Sequence, residues 1–328
     1  MPMNPRQIVS GYFALQAIGV VAWWALLMLD PQSIGWFHPQ GWPDDALLSY
    51  WLADFTLIVG GSCIAAFSVW HQRKWASTAV WSVAAICWYP TLVCIATSMR
   101  TGDAWIASAM MVSMAGLSLA MATIQGKQGD APAAFRVTSM NRVSSLLSTL
   151  GQIVIFWGTF LWIMPMGIVE LQEALSWKRF EHPFQTQTST GLFLLASCVG
   201  LWSGLSMVTL GGGTPLPTAT APRLVIAGPY RFVRNPMAVA GILQGIAVGW
   251  LLGSVPVIVY SLIGIVAWHV FVRPVEEKDL LERFGSEYER YRSRVRVWVP
   301  TIGWTGQQEF EGSELPDAKN DAKQTDSV

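Results

Sequence analysis

The sequence predicts an all-α, polytopic integral membrane protein, and three observations support that fold class. Of its 328 residues, 52% are hydrophobic and only 13% are charged, whereas soluble domains carry about 25% charged residues. Many of its 18 tryptophans stand at the ends of apolar runs, as expected of amphipathic rings that collect at the membrane interfaces. The third observation is a series of apolar runs that are long enough to cross a bilayer.

Those runs set the number of predicted membrane helices. A spanning helix needs roughly 20 mostly apolar residues, and six runs meet that length. Two shorter runs follow, separated only by Gly253 and Ser254, and they predict a helical hairpin packed within the protein. The full runs lie at about 8–29, 50–70, 76–98, 104–124, 146–169 and 190–210, and the short ones at about 237–252 and 255–272.

The charged stretch after the hairpin, Arg273 to Pro300, predicts an amphipathic interfacial helix. Apolar and aromatic residues recur in it at spacings of three and four, which places them on one helix face. A solvated, charged helix would explain the charges equally well. The residues that define the face are Leu280, Leu281, Phe284, Tyr288 and Tyr291.

The positive charges of the loops favour a cytoplasmic location for both termini. The loop at 30–49 contains no Lys or Arg, whereas the loop at 125–145 contains three, and cytoplasmic loops are the ones enriched in these residues. Lys178 and Arg179, on the opposite side, weaken this signal without reversing it. We therefore expect a protein of the cell inner membrane with both termini in the cytoplasm.

Composition divides the chain into four regions. A polar loop with glycine and proline at 126–145 is the predicted cytoplasmic linker. It follows an N-terminal four-helix membrane region, 1–125, which has no motif that indicates a role. A second membrane region occupies 146–300. The segment 301–328 is rich in Asp, Glu, Lys, Ser and Gln, and it predicts a disordered tail.

Several kinds of chemistry have no signature in the sequence. The four cysteines lie in apolar runs without paired spacing, and the four histidines are dispersed, so no zinc or haem site can be assembled from spacing. The net charge is zero, which provides no footprint for a nucleic acid. We expect neither a metal nor a nucleic acid as a partner, and no Ser-His-Asp set indicates a hydrolase.

A long irregular segment separates two of the predicted membrane helices. It reads GGGTPLPTATAPRLVIAGPYRFVRNPMAVAG from Gly211 to Gly241, and its glycines and prolines oppose helix formation. Irregular backbone at a membrane needs a protein or water-filled cavity to cover it, so a cavity at the cytoplasmic face is expected. Arg231 and Arg234 offer planar forks for a carboxylate or phosphate, although both would serve equally well as topology signals.

A pair of carboxylates, Glu276 and Glu277, stands where the last apolar run ends. Carboxylates at such a border are costly unless they pair with a cation or bind a ligand. The pair is therefore the second candidate element of a site.

The ordered set of motifs resembles the isoprenylcysteine carboxyl methyltransferase and phospholipid N-methyltransferase superfamily of membrane enzymes. The set comprises GPYRFVRNP at 228–236, EE-x-x-L at 276–280, F-G-x-x-Y-x-x-Y at 284–291 and V-P at 299–300. The resemblance covers about residues 145–300 and implies that the region 146–300 is a membrane methyltransferase core. It implies methyl transfer from S-adenosylmethionine to a lipid-like or membrane-accessible small acceptor, such as a prenylcysteine-type carboxylate, a phospholipid amine or a small thiol.

The same resemblance implies roles for individual residues. Arg234 would lie near the transferred methyl group and, with Glu277, forms the expected catalytic pair. Membrane lipids and a lipophilic or small-molecule acceptor are the implied partners. The residues expected to line the cofactor pocket are Leu224, Val225, Gly228, Tyr230, Asn235, Glu276 and Glu277.

Two positions depart from the frequent R-H-P-x-Y form of the motif. Asn235 replaces the histidine and Ala238 replaces the tyrosine. Asn can hydrogen-bond a ligand, but it cannot titrate as histidine does. A mechanism that needs an imidazole base at position 235 is therefore excluded.

A non-enzymatic membrane protein, such as a transporter or a partner subunit, is the alternative interpretation. Transporters often contain internal repeats with broken helices in corresponding halves. The two halves of this chain show no such repeat, and the irregular segment occurs once. The sequence therefore favours the enzyme.

Overall fold

A computed structural model describes residues 4–126, 142–211 and 223–301, and these residues are helical with connecting turns. The linker predicted at 126–145 and the tail predicted at 301–328 lie outside this part of the chain except at their ends. The α-helices in chain order are α1 (Pro5–Leu29), α2 (Asp44–Leu48), α3 (Trp51–Ala53), α4 (Gly60–Trp70), α5 (Ala76–Thr101), α6 (Trp105–Gly126), α7 (Arg142–Phe156), α8 (Met164–Ala174), α9 (Gln185–Ser206), α10 (Pro236–Leu251), α11 (Val255–Ala267) and α12 (Arg273–Arg294).

Within the described residues, π-helical segments extend or join several of these helices. They occupy Asp54–Val59, Trp157–Ile163, Met207–Gly211 and Trp268–Val272. Wider π-helical turns inside longer helices are frequent at functional sites. The last of these segments joins α11 to α12.

Seven helical stretches in the described residues are long and apolar enough to cross a membrane. Six correspond to the predicted full spans, which confirms the polytopic all-α fold. The seventh, Val255–Arg294, is added because the second arm of the predicted hairpin continues as one helix into the charged α12. The predicted interfacial helix therefore follows the membrane hairpin directly, and it is kinked at Gly285, where the backbone is non-helical with φ +48°.

The chain divides into two compact units. Within the described residues, the first unit comprises 4–126, 150–193 and 243–264, and the second comprises 142–149, 194–211, 223–242 and 265–301.

Small residues let the helices of the first unit approach closely. Ala84 of α5 and Ala115 of α6 are almost completely buried in one core cluster. Gly167 of α8 leaves no room for a side chain, since a Cβ there would lie 2.7 Å from the Cβ of Ala109. Helices in lipid associate through packing of this kind, because lipid tails are as apolar as the side chains.

The turn of the hairpin is held by buried polar contacts within the first unit. Gly253 has φ +63°, and its carbonyl accepts a 2.9 Å hydrogen bond from the Phe180 N–H. The Ser254 hydroxyl donates to Gln172 Oε1 at 2.5 Å, and the Gln172 amide donates to the carbonyls of Trp177 and Lys178. The bond from Phe180 satisfies the Gly253 carbonyl, which the turn leaves without a helical partner, and the Gln172 bonds tie the Ser254 side chain to the segment at Trp177 and Lys178.

Gly253→Ala is expected to destabilise the protein. A left-handed conformation costs an L-residue about 1–2 kcal/mol, and the new Cβ would lie 2.2 Å from the Phe180 oxygen. Thermal unfolding in detergent should show a clear loss of stability. Gly264→Ala is the matched control, because no atom lies within 4 Å of its Cβ position. Equal unfolding temperatures of the two variants would contradict this account of the turn.

Candidate active site

The irregular segment enters α10 through an asparagine cap. The Asn235 side-chain oxygen accepts a 2.9 Å hydrogen bond from the Ala238 N–H, and Pro236 occupies the first helical position. Asn is among the best N-cap residues, and proline at the next position has no N–H to leave unpaired. The local sequence therefore places Asn235 and its neighbour Arg234 at a fixed point at the start of α10.

Gly228 allows the segment to pass close to α9. It opens a 3₁₀ turn, Gly228–Arg231, with φ +62°. A Cβ at this position would lie 2.7 Å from the Ser206 hydroxyl oxygen. A left-handed φ and a close contact together account for the glycine of the Gly-Pro-Tyr motif.

Hydrogen bonds near Arg234 join the irregular segment to α12 and to the residues that follow α12, all within the second unit. The Arg234 N–H donates to the Arg296 carbonyl at 2.9 Å, and the Thr301 N–H donates to the Phe232 carbonyl at 2.8 Å. The Tyr291 hydroxyl donates to the Tyr230 carbonyl at 2.7 Å. These bonds hold the 228–235 segment against α12 and the residues that follow it.

The centre of the site is an ion-pair cluster. Arg234 Nη1 lies 2.8 Å from Glu277 Oε1, and each side chain is 16% exposed. Arg273 Nε lies 3.6 Å from the same oxygen. Beside this cluster, the Asn235 amide donates to Glu276 Oε2 at 3.4 Å. The structure thus brings the Glu pair and the Arg-Asn pair together across the 41 and 43 residues that separate them.

These side chains line one recess of the second unit, which has about 310 Å³ of empty space, part of it open solvent. One side is polar, and the other carries aliphatic and aromatic groups. Polar groups converging in an apolar setting are typical of a small-molecule site. The lining residues are Arg234, Asn235, Trp268, Arg273, Glu276, Glu277, Leu280, Tyr288, Tyr291 and Val297.

The predicted site residues fall into two groups. Arg234, Asn235, Glu276 and Glu277 line the recess, whereas the lining within the described residues does not include Leu224, Val225, Gly228 and Tyr230. Val225 and Tyr230 are buried, and Leu224 packs against the core formed by Tyr288, Tyr291 and Val295. The roles assigned to all eight residues remain predictions.

Tyr230 is held as a neutral phenol behind the site. Burial raises the pKa of Tyr230 above its usual range, and the nearby Glu276 carboxylate raises it further. The residue therefore contributes its backbone carbonyl and its ring, and not a phenolate.

Sequence reasoning did not assign a role to Arg273 or Trp268. Arg273 stands four residues before Glu277, a spacing that places the two on one helix face, so this pairing could have been found. The position of Trp268 could not have been found, because this residue begins a π-helical turn, whose wider spacing changes the helix face on which a residue lies.

Two guanidinium nitrogens of the cluster, Arg234 Nε and Arg273 Nε, are buried without a hydrogen-bond partner among the described residues, and Arg273 Nε lies 3.6 Å from Glu277 Oε1. The Arg234 guanidinium is held by Glu277 through Nη1. An unpaired buried donor is costly unless a ligand or water satisfies it. The recess can therefore orient an anionic or polar group at Arg234.

Comparisons with known proteins agree with the motifs. The model of the phospholipid methyltransferase family matches residues 188–287. Methanethiol S-methyltransferase 1 of Bradyrhizobium diazoefficiens is 33% identical over 87 residues, which cover 25% of this chain and 28% of that relative. No solved structure matches the chain significantly.

The matched segment contains Arg234, Asn235, Glu276 and Glu277. The second unit thus carries a polar recess in a segment that is similar to a methyltransferase domain of membrane proteins. This confirms the superfamily that the motifs predict. The chain spans 28% of the length of the curated relative that it matches.

Asn235 makes two contacts that substitutions should separate: the cap of α10 and the hydrogen bond to Glu276. Asn235→Ala removes the cap and should cost about 1 kcal/mol of stability. Asn235→Ser retains a capping oxygen, so its unfolding temperature should stay near wild type while the contact with Glu276 is lost. Thermal unfolding of both variants in detergent checks this, and equal losses would show that the cap is not what Asn235 contributes.

Proposed function

We propose that this protein transfers a methyl group from S-adenosylmethionine to a lipid-like or membrane-accessible small acceptor. The observation that carries the proposal is the pairing of Arg234 and Asn235 with Glu277 and Glu276 around one recess. The match of residues 188–287 to the phospholipid methyltransferase family supports it.

The donor set of the recess suits this cofactor. S-adenosylmethionine supplies an electrophilic methyl group on a cationic sulfur, and it also bears an ammonium and a carboxylate group. Glu276, which faces only the Asn235 amide among the hydrogen bonds described above, would hold a cationic group. The unpaired Arg234 Nε would hold an anionic group. The ring of Trp268 or Tyr288 would offer an aromatic face to the cationic sulfur.

The residues of the recess would act by positioning. Glu277 holds Arg234 at 2.8 Å, so the planar guanidinium is oriented before a ligand arrives. Methyl transfer needs in-line approach and little covalent help, and such orientation can account for much of a rate enhancement. Leu280 and Val297 form the aliphatic part of the lining and would exclude water from the acceptor.

Two of the candidate acceptors have support from the comparisons. The family is described by its action on phospholipids, and the relative is named for methanethiol. A small thiol and a phospholipid amine are therefore the first acceptors to test, with a prenylcysteine-type carboxylate as the third. An ammonium or thiol must lose a proton before it attacks, whereas a carboxylate is already ionised at neutral pH.

Both termini are proposed to lie in the cytoplasm. The loop charges favour this orientation, which would give the irregular segment access to a water-soluble cofactor from the cytoplasm. The cell inner membrane is the proposed location.

S-adenosylmethionine or its demethylated product should bind the purified protein at micromolar levels, on the order of −8 kcal/mol. Glu277→Gln should weaken binding by roughly 1–3 kcal/mol, since it removes a charged hydrogen-bond acceptor. Arg234→Lys retains the charge without the fork and should reduce turnover more than affinity. Calorimetry and turnover on the same detergent preparations provide the measurements.

Two exposed residues of α12 serve as matched controls for Glu277→Gln and Arg234→Lys. Glu282→Gln and Arg292→Lys repeat the two chemical changes at exposed positions and should leave binding and turnover unchanged. Failure of the well-folded wild type to bind either ligand would exclude the methyltransferase and favour the transporter or partner-subunit interpretation.

The acceptor should be identified by label transfer. Purified protein is incubated with isotopically labelled S-adenosylmethionine together with phospholipids, a prenylcysteine analogue or methanethiol, and the products are analysed by mass spectrometry. We expect label on one acceptor class. If Arg234→Lys at the same protein concentration forms no labelled product, the reaction depends on the recess. Label that appears equally with Arg234→Lys and wild type would remove Arg234 from the reaction.

A further inference from the structure

Four exposed arginines are the chain neighbours of one small core of the second unit. Tyr288, Tyr291 and Val295 form that core, and Leu224 and Ile226 pack against it. The exposed arginines stand next to residues of the core or to Tyr230, whose carbonyl is bonded to the core by Tyr291. We call these four residues the arginine surface: Arg223 beside Leu224, Arg231 beside Tyr230, Arg292 beside Tyr291 and Arg296 beside Val295.

Contacts with their neighbours fix the backbone of these arginines. The Arg296 carbonyl accepts a 2.9 Å hydrogen bond from the Arg234 N–H. The Arg231 guanidinium lies 4.5 Å from the centre of the Phe232 ring. Consecutive Cα atoms are about 3.8 Å apart, so each arginine starts within one residue of a packed or hydrogen-bonded position. The arginine surface is therefore a defined part of the fold.

The charges of the arginine surface are not matched by the part of the protein that the structure describes. No carboxylate of the described residues lies within 4.0 Å of these four guanidinium groups. Before the kink at Gly285, by contrast, Glu277, Asp279 and Glu282 of α12 each pair with a cation. The first part of α12 thus neutralises its carboxylates, whereas the arginine surface can accept an anion from outside.

Other charged residues of the same stretch reduce this positive charge without removing it. Residues 286–301 contain four arginines and two glutamates. Arg290 and Arg294 have interaction partners of their own. Glu287 and Glu289 are the two carboxylates, and neither is within 4.0 Å of a basic group of the arginine surface. The stretch therefore keeps a net positive charge.

The arginine surface lies where the chain enters the membrane. Arg231 shortly precedes α10, an apolar helix that begins at Pro236. The bond from Arg234 holds Arg296 at the start of the same helix. Near Arg296, Val299 is 55% exposed. Basic and exposed apolar side chains together are typical of a surface in contact with lipid headgroups.

Phosphate is the anion that this setting favours. The planar guanidinium matches a phosphate group with paired hydrogen bonds, and every phospholipid carries a phosphate at the depth where a membrane helix begins. Anionic lipids attract basic clusters beside membrane helices. The exposed Val299 suits a lipid better than a soluble anion, which has no apolar part.

We propose that the arginine surface binds the phosphate groups of anionic phospholipids in the leaflet that faces it. This contact holds the residues after α12 at the membrane surface. The resemblance and the comparisons assign no role to Arg231, Arg292 or Arg296. The contact needs neither a cofactor nor a methyl acceptor, so it is tested independently of the proposed function.

Phosphatidylglycerol is the probe, because its headgroup adds no positive charge, and phosphatidylcholine is its zwitterionic counterpart. Full-length protein in a neutral detergent is titrated with each lipid, and native mass spectrometry measures the affinity for the first lipid bound. A basic residue at an anionic surface increases affinity about fivefold. Arg292→Gln/Arg296→Gln should therefore weaken phosphatidylglycerol binding about tenfold or more and leave phosphatidylcholine binding unchanged.

The matched control removes two positive charges elsewhere. Arg73→Gln/Lys74→Gln changes two exposed residues of the first unit and should bind phosphatidylglycerol as wild type does. Arg292→Lys/Arg296→Lys retains the charges and should recover most of the affinity. Equal losses in both glutamine variants, or no preference of wild type for phosphatidylglycerol, would overturn the proposal.

A second variant keeps the test independent of folding around position 292. Arg231→Gln changes a different segment of the arginine surface and should lower the affinity about fivefold. Thermal unfolding in detergent should be near wild type for all variants, since the substituted side chains are exposed. Wild-type affinity in Arg231→Gln and in Arg292→Gln/Arg296→Gln would remove these arginines from any lipid contact.

Two further measurements distinguish lipid from other anions. Inorganic phosphate at the concentration of the lipid should not displace phosphatidylglycerol, and displacement would identify a site for soluble anions instead. Residues 309–328 contain six acidic residues and two lysines, so they are the competing anion within the chain. Glu309→Gln/Glu311→Gln/Glu314→Gln should leave the affinity for phosphatidylglycerol unchanged. A tenfold rise in that variant would show that this segment occupies the arginine surface, and would overturn the proposal.

Discussion

The Arg234–Glu277 ion pair is the interaction on which the candidate site depends. It joins the start of α10 to the start of α12, and both side chains are largely buried. Charges in such a position are costly unless they are paired and hydrogen-bonded. Arg273 contributes a second cation to Glu277, and Asn235 provides a hydrogen bond to Glu276. The cluster therefore satisfies most of its own charges, and the Nε atoms of Arg234 and Arg273, which make no hydrogen bond to the described residues, are the donors that a ligand can use.

Helix ends and turns place these charges. Asn235 acts first as a helix cap, which explains why an asparagine at the position of the superfamily histidine is compatible with the fold. The π-helical turn at Trp268–Val272 carries the apolar α11 into the charged α12 without a break. A continuous helical stretch thus bears an apolar surface in α11 and the carboxylate pair in the first turn and a half of α12, before the kink at Gly285.

Much of the fold follows from local features of the sequence. Hydrophobic length predicted the spans, and the two short runs around Gly253 predicted the hairpin, because bilayer thickness sets the length of a membrane helix. The tight turn itself needed a glycine with positive φ and a polar residue that Gln172 could bind. The presence of a turn was predictable from the pattern. Its partners were not, since the hydrogen bonds join residues more than 70 positions apart.

By itself, the sequence determined the membrane class, the helical hairpin and the motif set of the candidate site, because these depend on composition and short-range spacing. It offered Arg231 and Arg234 alike as planar forks, and the resemblance to the superfamily singled out Arg234. The tertiary structure shows how their surroundings differ: Arg231 is exposed over the Phe232 ring, whereas Arg234 contacts Glu277. It also brought Arg296 to Arg234. The physical reason is that pairing a buried charge requires contacts between distant parts of the chain, which no local pattern contains.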